Sequence, residues 1–363
     1  MASESTYVRK GFGLKAEVQD TLTADYDGQL VDLLLAREYT LQAGDVTIRL
    51  AKEFGFCYGV ERAVEYAYQT RLKFPDKKIY LAGEIIHNPH VNAKLKEMGI
   101  VFLKPSDKGF DYTGVQPEDV VILPAFGVTI HDFETLRQIG CVMVDTTCGS
   151  VLNVWKRVDA YAKDGFTSLI HGKYYHEETR ATASQVEKYS GGTYIVVRNM
   201  AEAEDVMAYI AGTFPGGREG FLAKYAHAAS PSFDPDVHLK RIGVANQTTM
   251  LARESLAIGE AVGQTMERVH GAEYRAQNFR TFDTICSATQ DRQDAVNALL
   301  TEPLDVMLVI GGYNSSNTIS LAALCAEKVR TYHVEDANCI DPAQGTIRHR
   351  DLATGKEISA QGW

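Results

Sequence analysis

One pattern, met three times, constrains this chain more than any other: a short apolar run, a polar turn, a cysteine, then apolar residues at helical spacing. It is clearest in VMVDTTCGSVLNVW, residues 142–155. There the apolar run is broken by Asp145-Thr146-Thr147, and Cys148 opens a stretch in which Val151, Leu152, Trp155 and Val158 fall on one helical face. Upstream, a run at 47–51 leads into GFCYGVERAV with Cys57 at the joint; downstream, a run at 282–285 meets Cys286 and then SATQDRQDAVNALL. A cysteine at a helix N-terminus sits at the positive end of the dipole, which favours its thiolate. The joints are 91 and 138 residues apart, which predicts three related units, each giving one sulfur to a common soft-metal centre.

The rest of the chain has the same grammar. Apolar runs at 78–81, 120–123, 166–170, 194–197, 242–245, 305–310 and 331–334 alternate with helical patterns, the signature of βαβ units and parallel sheets. In such sheets ligands bind beyond the carboxyl ends of the strands. The expected division is an N-terminal extension at 1–46 with a short helix near 29–38, then α/β domains at 47–141, 142–281 and 282–363. The Gly-, Pro- and Ser-rich stretch 212–236 reads as a long loop.

At 363 residues and 45% hydrophobic content, there is material for two or three cores. A formal charge of −10 argues against a nucleic-acid surface. The longest apolar stretches are too short to cross a bilayer, and the N-terminus lacks a secretory core, so the expected setting is the cytoplasm, or the plastid stroma in a photosynthetic eukaryote. Six cysteines without a secretion signal read as reduced thiols or metal ligands.

Cys141, Cys325 and Cys339 lack the strand–cysteine–helix context and read as small core residues. Cys57, Cys148 and Cys286 have it. With no CxxC pair and no fourth cysteine in the same context, they fit a [4Fe-4S] cluster with one iron open, a Lewis acid and electron donor. His87 stands between a strand and the helix begun by Pro89, where it is either a cap, a core histidine or a ligand group. His176, Glu177 and Glu178 share the first turn of a helix. Glu178 is either a carboxylate favoured by the dipole or, in a low-dielectric setting, a proton donor at neutral pH. Residues 314–318, NSSNT, after Gly311-Gly312, are either a plain N-cap or an oxyanion cradle. No Walker loop accompanies them.

With these residues in view, the chain resembles the 4-hydroxy-3-methylbut-2-enyl diphosphate reductase (LytB) family in its cyanobacterial and plastid branch. The matching segments are GFCYGVERA, EIIHNPHVN, VDTTCGSV, HGKYYHEET, NQTT, TICSATQDRQDA and VIGGYNSSNT, in family order from residue 54 to 318. The resemblance implies a trefoil of three α/β domains around a [4Fe-4S] cluster held by Cys57, Cys148 and Cys286. It implies reduction of an allylic diphosphate at the open iron, with ferredoxin or flavodoxin as donor. It also implies that His87, His176, Ser315, Ser316 and Asn317 bind diphosphate, and that Glu178 relays a proton with help from Thr248. Two departures stand out. Phe126 occupies a position that is histidine in many members, and the family usually continues beyond a position like Trp363 into a further diphosphate-contacting segment, so the third domain is expected to be incomplete. The rival readings are another open-iron dehydratase resembling quinolinate synthase, and a non-enzymatic metal-binding protein.

Overall fold

Strands that are apolar on both faces need helices on both sides, and the short runs of this chain become the centres of small parallel sheets. The computed structural model describes residues 6–106, 109–282 and 284–362. Its first sheet runs Tyr7–Val8, Val142–Asp145, Val120–Leu123, Ile79–Leu81, Ile100–Phe102, all parallel. The second runs Tyr194–Val197, Thr167–His171, Ile242–Asn246, Phe279–Thr281, again all parallel. The third pairs Met307–Ile310 with Thr331–Val334 in parallel, then turns antiparallel through Thr346–Arg350 to Ile340–Asp341 and Glu357–Gln361. The expected class, α/β with small, mostly parallel sheets in three units, is what the chain forms.

Each sheet has its own core. Ile79, Leu81, Leu95 and Ile122 fill the first, and Leu169, Val197, Phe221 and Ile258 the second. The third is smaller, built round Val309, Ala322, Leu324 and Cys325 on one side and Tyr332, Val334, Cys339 and Ile347 on the other. Cys141, Cys325 and Cys339 are all buried in these cores.

Several local expectations differ from what forms. The run before Cys57 is not a sheet strand: Val46–Arg49 pairs antiparallel with Thr40–Ala43 as an exposed hairpin. The first sheet takes its edge strand from Tyr7–Val8 instead, and helix Lys15–Tyr26 of the extension packs on helix Tyr58–Lys73 through Val18, Leu22 and Tyr26. Val142–Asp145, expected to open the second unit, is hydrogen-bonded into the first sheet. The strand near Cys286 lies earlier than expected, at Phe279–Thr281, and joins the second sheet; Asp283 lies outside the described residues. Cys148 and Cys286 therefore each follow the last strand of the sheet preceding their helix. The stretch read as a loop holds helix Gly217–Tyr225, whose Phe221 and Tyr225 are buried. Residues after 334 form the antiparallel ribbon; the expected end at Trp363 lies outside the described residues.

Candidate active site

Cys57, Cys148 and Cys286 are the N-cap residues of helices Tyr58–Lys73, Gly149–Lys163 and Ser287–Leu299, each with extended backbone. Their sulfurs converge. A β-carbon added to Gly59 would lie 2.4 Å from Cys148 Sγ and 3.9 Å from Cys57 Sγ, so two sulfurs press on the first turn of one helix. The Ser150 hydroxyl, on the first turn of the next helix, lies 3.4 Å from Cys286 Sγ. Three positive helix ends thus face one spot. Burial pushes the Cys148 thiol up; the backbone N–H of Ser150 pulls it down, and the neighbouring Cys286 and Cys57 push it up again. Crowded thiols resist ionising together, and a bound cation removes that cost.

Donor chemistry speaks to what they could hold. Among the described residues, the one group of three whose donor atoms all lie within 4.8 Å of one another is His87, His176 and Glu177. The three cysteines offer soft sulfur donors at helix N-termini, a donor set that suits a soft metal centre such as an iron–sulfur cluster.

Glu178 is 1% exposed, and its Oε1 accepts a 2.6 Å hydrogen bond from the Thr248 backbone N–H. Burial pushes its carboxyl up to about 7, outweighing the stabilising Thr248 hydrogen bonds. It therefore holds a proton near neutrality. Of the two threonines in NQTT, Thr248 faces Glu178, while the Thr249 hydroxyl accepts from Gln247 Nε2 at 2.9 Å.

His176 Nδ1 accepts from the Glu178 backbone N–H at 3.1 Å, which leaves the ring proton on Nε2. Burial first, and the charge of His87 next, push its pKa down to about 3, so the ring is a neutral donor. His87 is the reverse case. Burial opposes its protonation, but Glu177 and Glu84 outweigh burial and lift it to about 9. Its Nδ1 is 2.8 Å from Glu84 Oε2 and its Nε2 3.4 Å from Glu177 Oε2, so an incoming anion would compete with the longer contact. Phe126 is no gap in this arrangement. Its ring stacks on His87 at 4.6 Å and meets His176 edge-on at 5.4 Å, fixing the angle between the two histidines.

The third sheet closes the site. Gly312 backs directly onto the His87 carbonyl, where a β-carbon would come within 2.4 Å, so only glycine permits the approach. Ser315 caps helix Ser316–Ala326, its hydroxyl accepting from the Thr318 backbone N–H at 3.3 Å. Ser316 Oγ accepts from Lys173 Nζ at 3.1 Å and Gln247 Nε2 at 3.2 Å. Asn317 buries its side-chain oxygen without a partner.

Hydrogen bonds join these parts to the segments that carry the sulfurs. The Cys148 N–H donates to Ala125, next to Phe126, and Thr284, two residues before Cys286, bonds Asn246, two before Thr248. Trp155, on the Cys148 helix, donates to Thr182 on the Glu178 helix at 3.1 Å. Sequence reasoning missed Lys173, Gln247, Glu84 and the role of Phe126. Lys173 and Gln247 lie inside the segments HGKYYHEET and NQTT, so their neighbours were the available signal.

Three small α/β units, three helix-capping cysteines whose side chains meet, a buried carboxylic acid and two histidines define a class: pseudo-threefold α/β proteins with a central cysteine site. The LytB protein family model matches residues 48–354. Proteins called 4-hydroxy-3-methylbut-2-enyl diphosphate reductase are similar throughout. That of Thermosynechococcus vestitus is 47% identical over 362 residues, covering 99% of this chain and 88% of the relative. That of Gloeobacter violaceus is 48% identical, covering 98% and 85%. A solved structure of (E)-4-hydroxy-3-methyl-but-2-enyl diphosphate reductase matches at TM-score 0.51 and 28% identity, over 80% of this chain and 86% of that one. The Plasmodium falciparum reductase matches in fold at TM-score 0.58 and 23% identity, over 79% and 76%. The chain belongs to the LytB protein family, as its motifs suggested. No helix among the described residues is long and apolar enough to cross a membrane.

Proposed function

We propose that this chain catalyses the two-electron reductive dehydroxylation of 4-hydroxy-3-methylbut-2-enyl diphosphate. Two electrons and two protons enter, the allylic C–O bond breaks, water leaves, and isopentenyl and dimethylallyl diphosphates form. Cys57, Cys148 and Cys286 would hold a [4Fe-4S] cluster, and when bound such a cluster with one open iron supplies Lewis acidity and electrons. Glu178 donates the proton that lets the hydroxyl depart as water, and the Thr248 backbone holds its carboxyl in place. His176, neutral with its proton on Nε2, and cationic His87 bind the diphosphate with Ser316 and Asn317; Ser315 sets the helix N-terminus beneath them. The observation that carries this reading is the convergence of three far-separated cysteines beside a buried carboxyl poised near 7. The electrons come from a ferredoxin- or flavodoxin-type carrier, and the setting is the cytoplasm, as the cyanobacterial relatives favour.

Anaerobic turnover with reduced ferredoxin tests the reaction. Both isomeric diphosphates should form as the donor is oxidised. A product formed without donor oxidation would point to a dehydratase, and a colourless, inactive protein to a non-enzymatic metal site.

Gly59 offers a separate check of the cluster. In Gly59→Ala the new methyl would meet Cys148 Sγ, an overpacking of about 1–3 kcal/mol that falls on the cysteine centre. Iron bound after anaerobic reconstitution should fall well below half of wild type while circular dichroism stays native. Full loading would mean that the sulfurs do not share this spot.

A further inference from the structure

Lys173 is the cation that the reaction as described leaves unused. Its backbone is fixed from both sides: its N–H donates to Gln247 Oε1 at 3.1 Å, and its carbonyl accepts from the His176 N–H at 2.9 Å. The ammonium is partly buried and lies 3.1 Å from Ser316 Oγ. Among the described residues no carboxylate neutralises it. The one charge that bears on it is the like charge of Arg350, which together with the larger effect of burial pushes its pKa down.

In a chain with 47 acidic and 37 basic residues, an ammonium whose electrostatic influence comes from another cation and not from a carboxylate needs a reason. Tethering the second unit to the third does not supply one, because Gln247 already bonds Ser316 from the same side. A half-buried ammonium is a costly substitute for a neutral bridge. Ser316 Oγ accepts from both Lys173 and Gln247, so its own proton remains to be donated. The ammonium and the Ser316 hydroxyl, 3.1 Å apart, form a donor pair on which the positive charge of Arg350 also acts, a combination that suits a phosphate oxygen.

We propose that Lys173 is a further substrate-binding residue, its ammonium taking a diphosphate oxygen together with the Ser316 hydroxyl while Arg350 reinforces the field. The identity of the ligand rests on the reductase reading; the anion site itself does not.

The test compares cluster-loaded wild type, Lys173→Met and Lys173→Arg in steady-state turnover and in calorimetric binding of inorganic pyrophosphate. Loss of one charge-assisted contact should raise KM and weaken pyrophosphate binding about ten- to hundredfold in Lys173→Met, with kcat falling far less and partial rescue in Lys173→Arg. Thermal stability should stay near wild type or rise, since a buried charge is removed. Unchanged KM and pyrophosphate affinity would overturn the proposal. So would equal losses in KM, kcat and thermal stability, which a tether predicts. If wild type does not turn over the diphosphate, the reductase reading fails, and pyrophosphate binding still decides the role of Lys173.

Discussion

Cys148→Ser is expected to purify as a folded, pale protein with no activity above background. Cys148 lies at the meeting of the other two sulfurs, beside Gly59 and under the influence of both Cys57 and Cys286. On the proposed assignment, replacing it would remove one of the three protein ligands that a cluster with an open iron can have, and serine oxygen is a harder, more basic donor. The fold should survive, because the three sheet cores are built without it and a serine hydroxyl can still accept from the Ser150 and Val151 backbone N–H groups that act on the sulfur. Visible absorbance, iron content and circular dichroism on one anaerobic sample measure this. An intact cluster in the variant would remove Cys148 from the ligand set. Loss of native circular dichroism would show that the cysteine matters to the fold first.

Glu178→Gln has the second large effect, with the opposite signature: cluster retained, turnover down by about a hundredfold or more, the range lost with a general acid. Glutamine keeps the shape and neutrality of the protonated acid and can still accept from the Thr248 N–H, but has no proton to give. Wild-type-like turnover would remove Glu178 from the mechanism. The pH dependence follows from the same burial. The carboxyl is lifted from 4.5 to about 7, so its proton is held more tightly in the folded state than in the unfolded one. The stability this proton contributes is fully present below 4.5 and is lost as pH rises through about 7. Turnover should fall over the same upper limb, and Glu178→Gln should flatten both the activity limb and the stability loss. A limb that stays in place in the variant would belong to another group, such as His87, lifted to about 9.

The two predictions rest on residues that were legible in the sequence for different reasons. The cysteines could be read because each begins a helix, and that local context survives whatever happens to the strand before it. At Cys57 the preceding run became an exposed hairpin, since a strand's partners are set by distant segments: Tyr7–Val8, far upstream, supplied the sheet edge instead. The same limit moved the strand near Cys286 to Phe279–Thr281, where it pairs with Ile242–Asn246. Helix Gly217–Tyr225 was hidden by its flanking Gly and Pro residues, although its buried aromatic residues, Phe221 and Tyr225, are spaced for one face.

Glu178 was recognisable as a carboxylate in a first turn, but only packing reveals that it is buried and proton-bearing. Phe126 looked like a lost histidine when read as a single position. In three dimensions its ring packs against both His87 and His176, whose rings also meet each other edge-on at 5.1 Å, a role visible only once residues 87, 126 and 176 are brought together. Lys173 was overlooked for a related reason. A lysine is ordinarily a solvated surface residue, and its isolation from carboxylates is a property of the fold.

Anomalous diffraction at the iron edge from anaerobically grown crystals would locate the metal that the three cysteines are proposed to hold. One compact group of iron sites is expected in the space shared by all three units, within about 2.3 Å of sulfur at Cys57, Cys148 and Cys286, as thiolate-bound iron requires. Iron absent from that space, or a single ion bound by His87, His176 and Glu177 in its stead, would contradict that assignment.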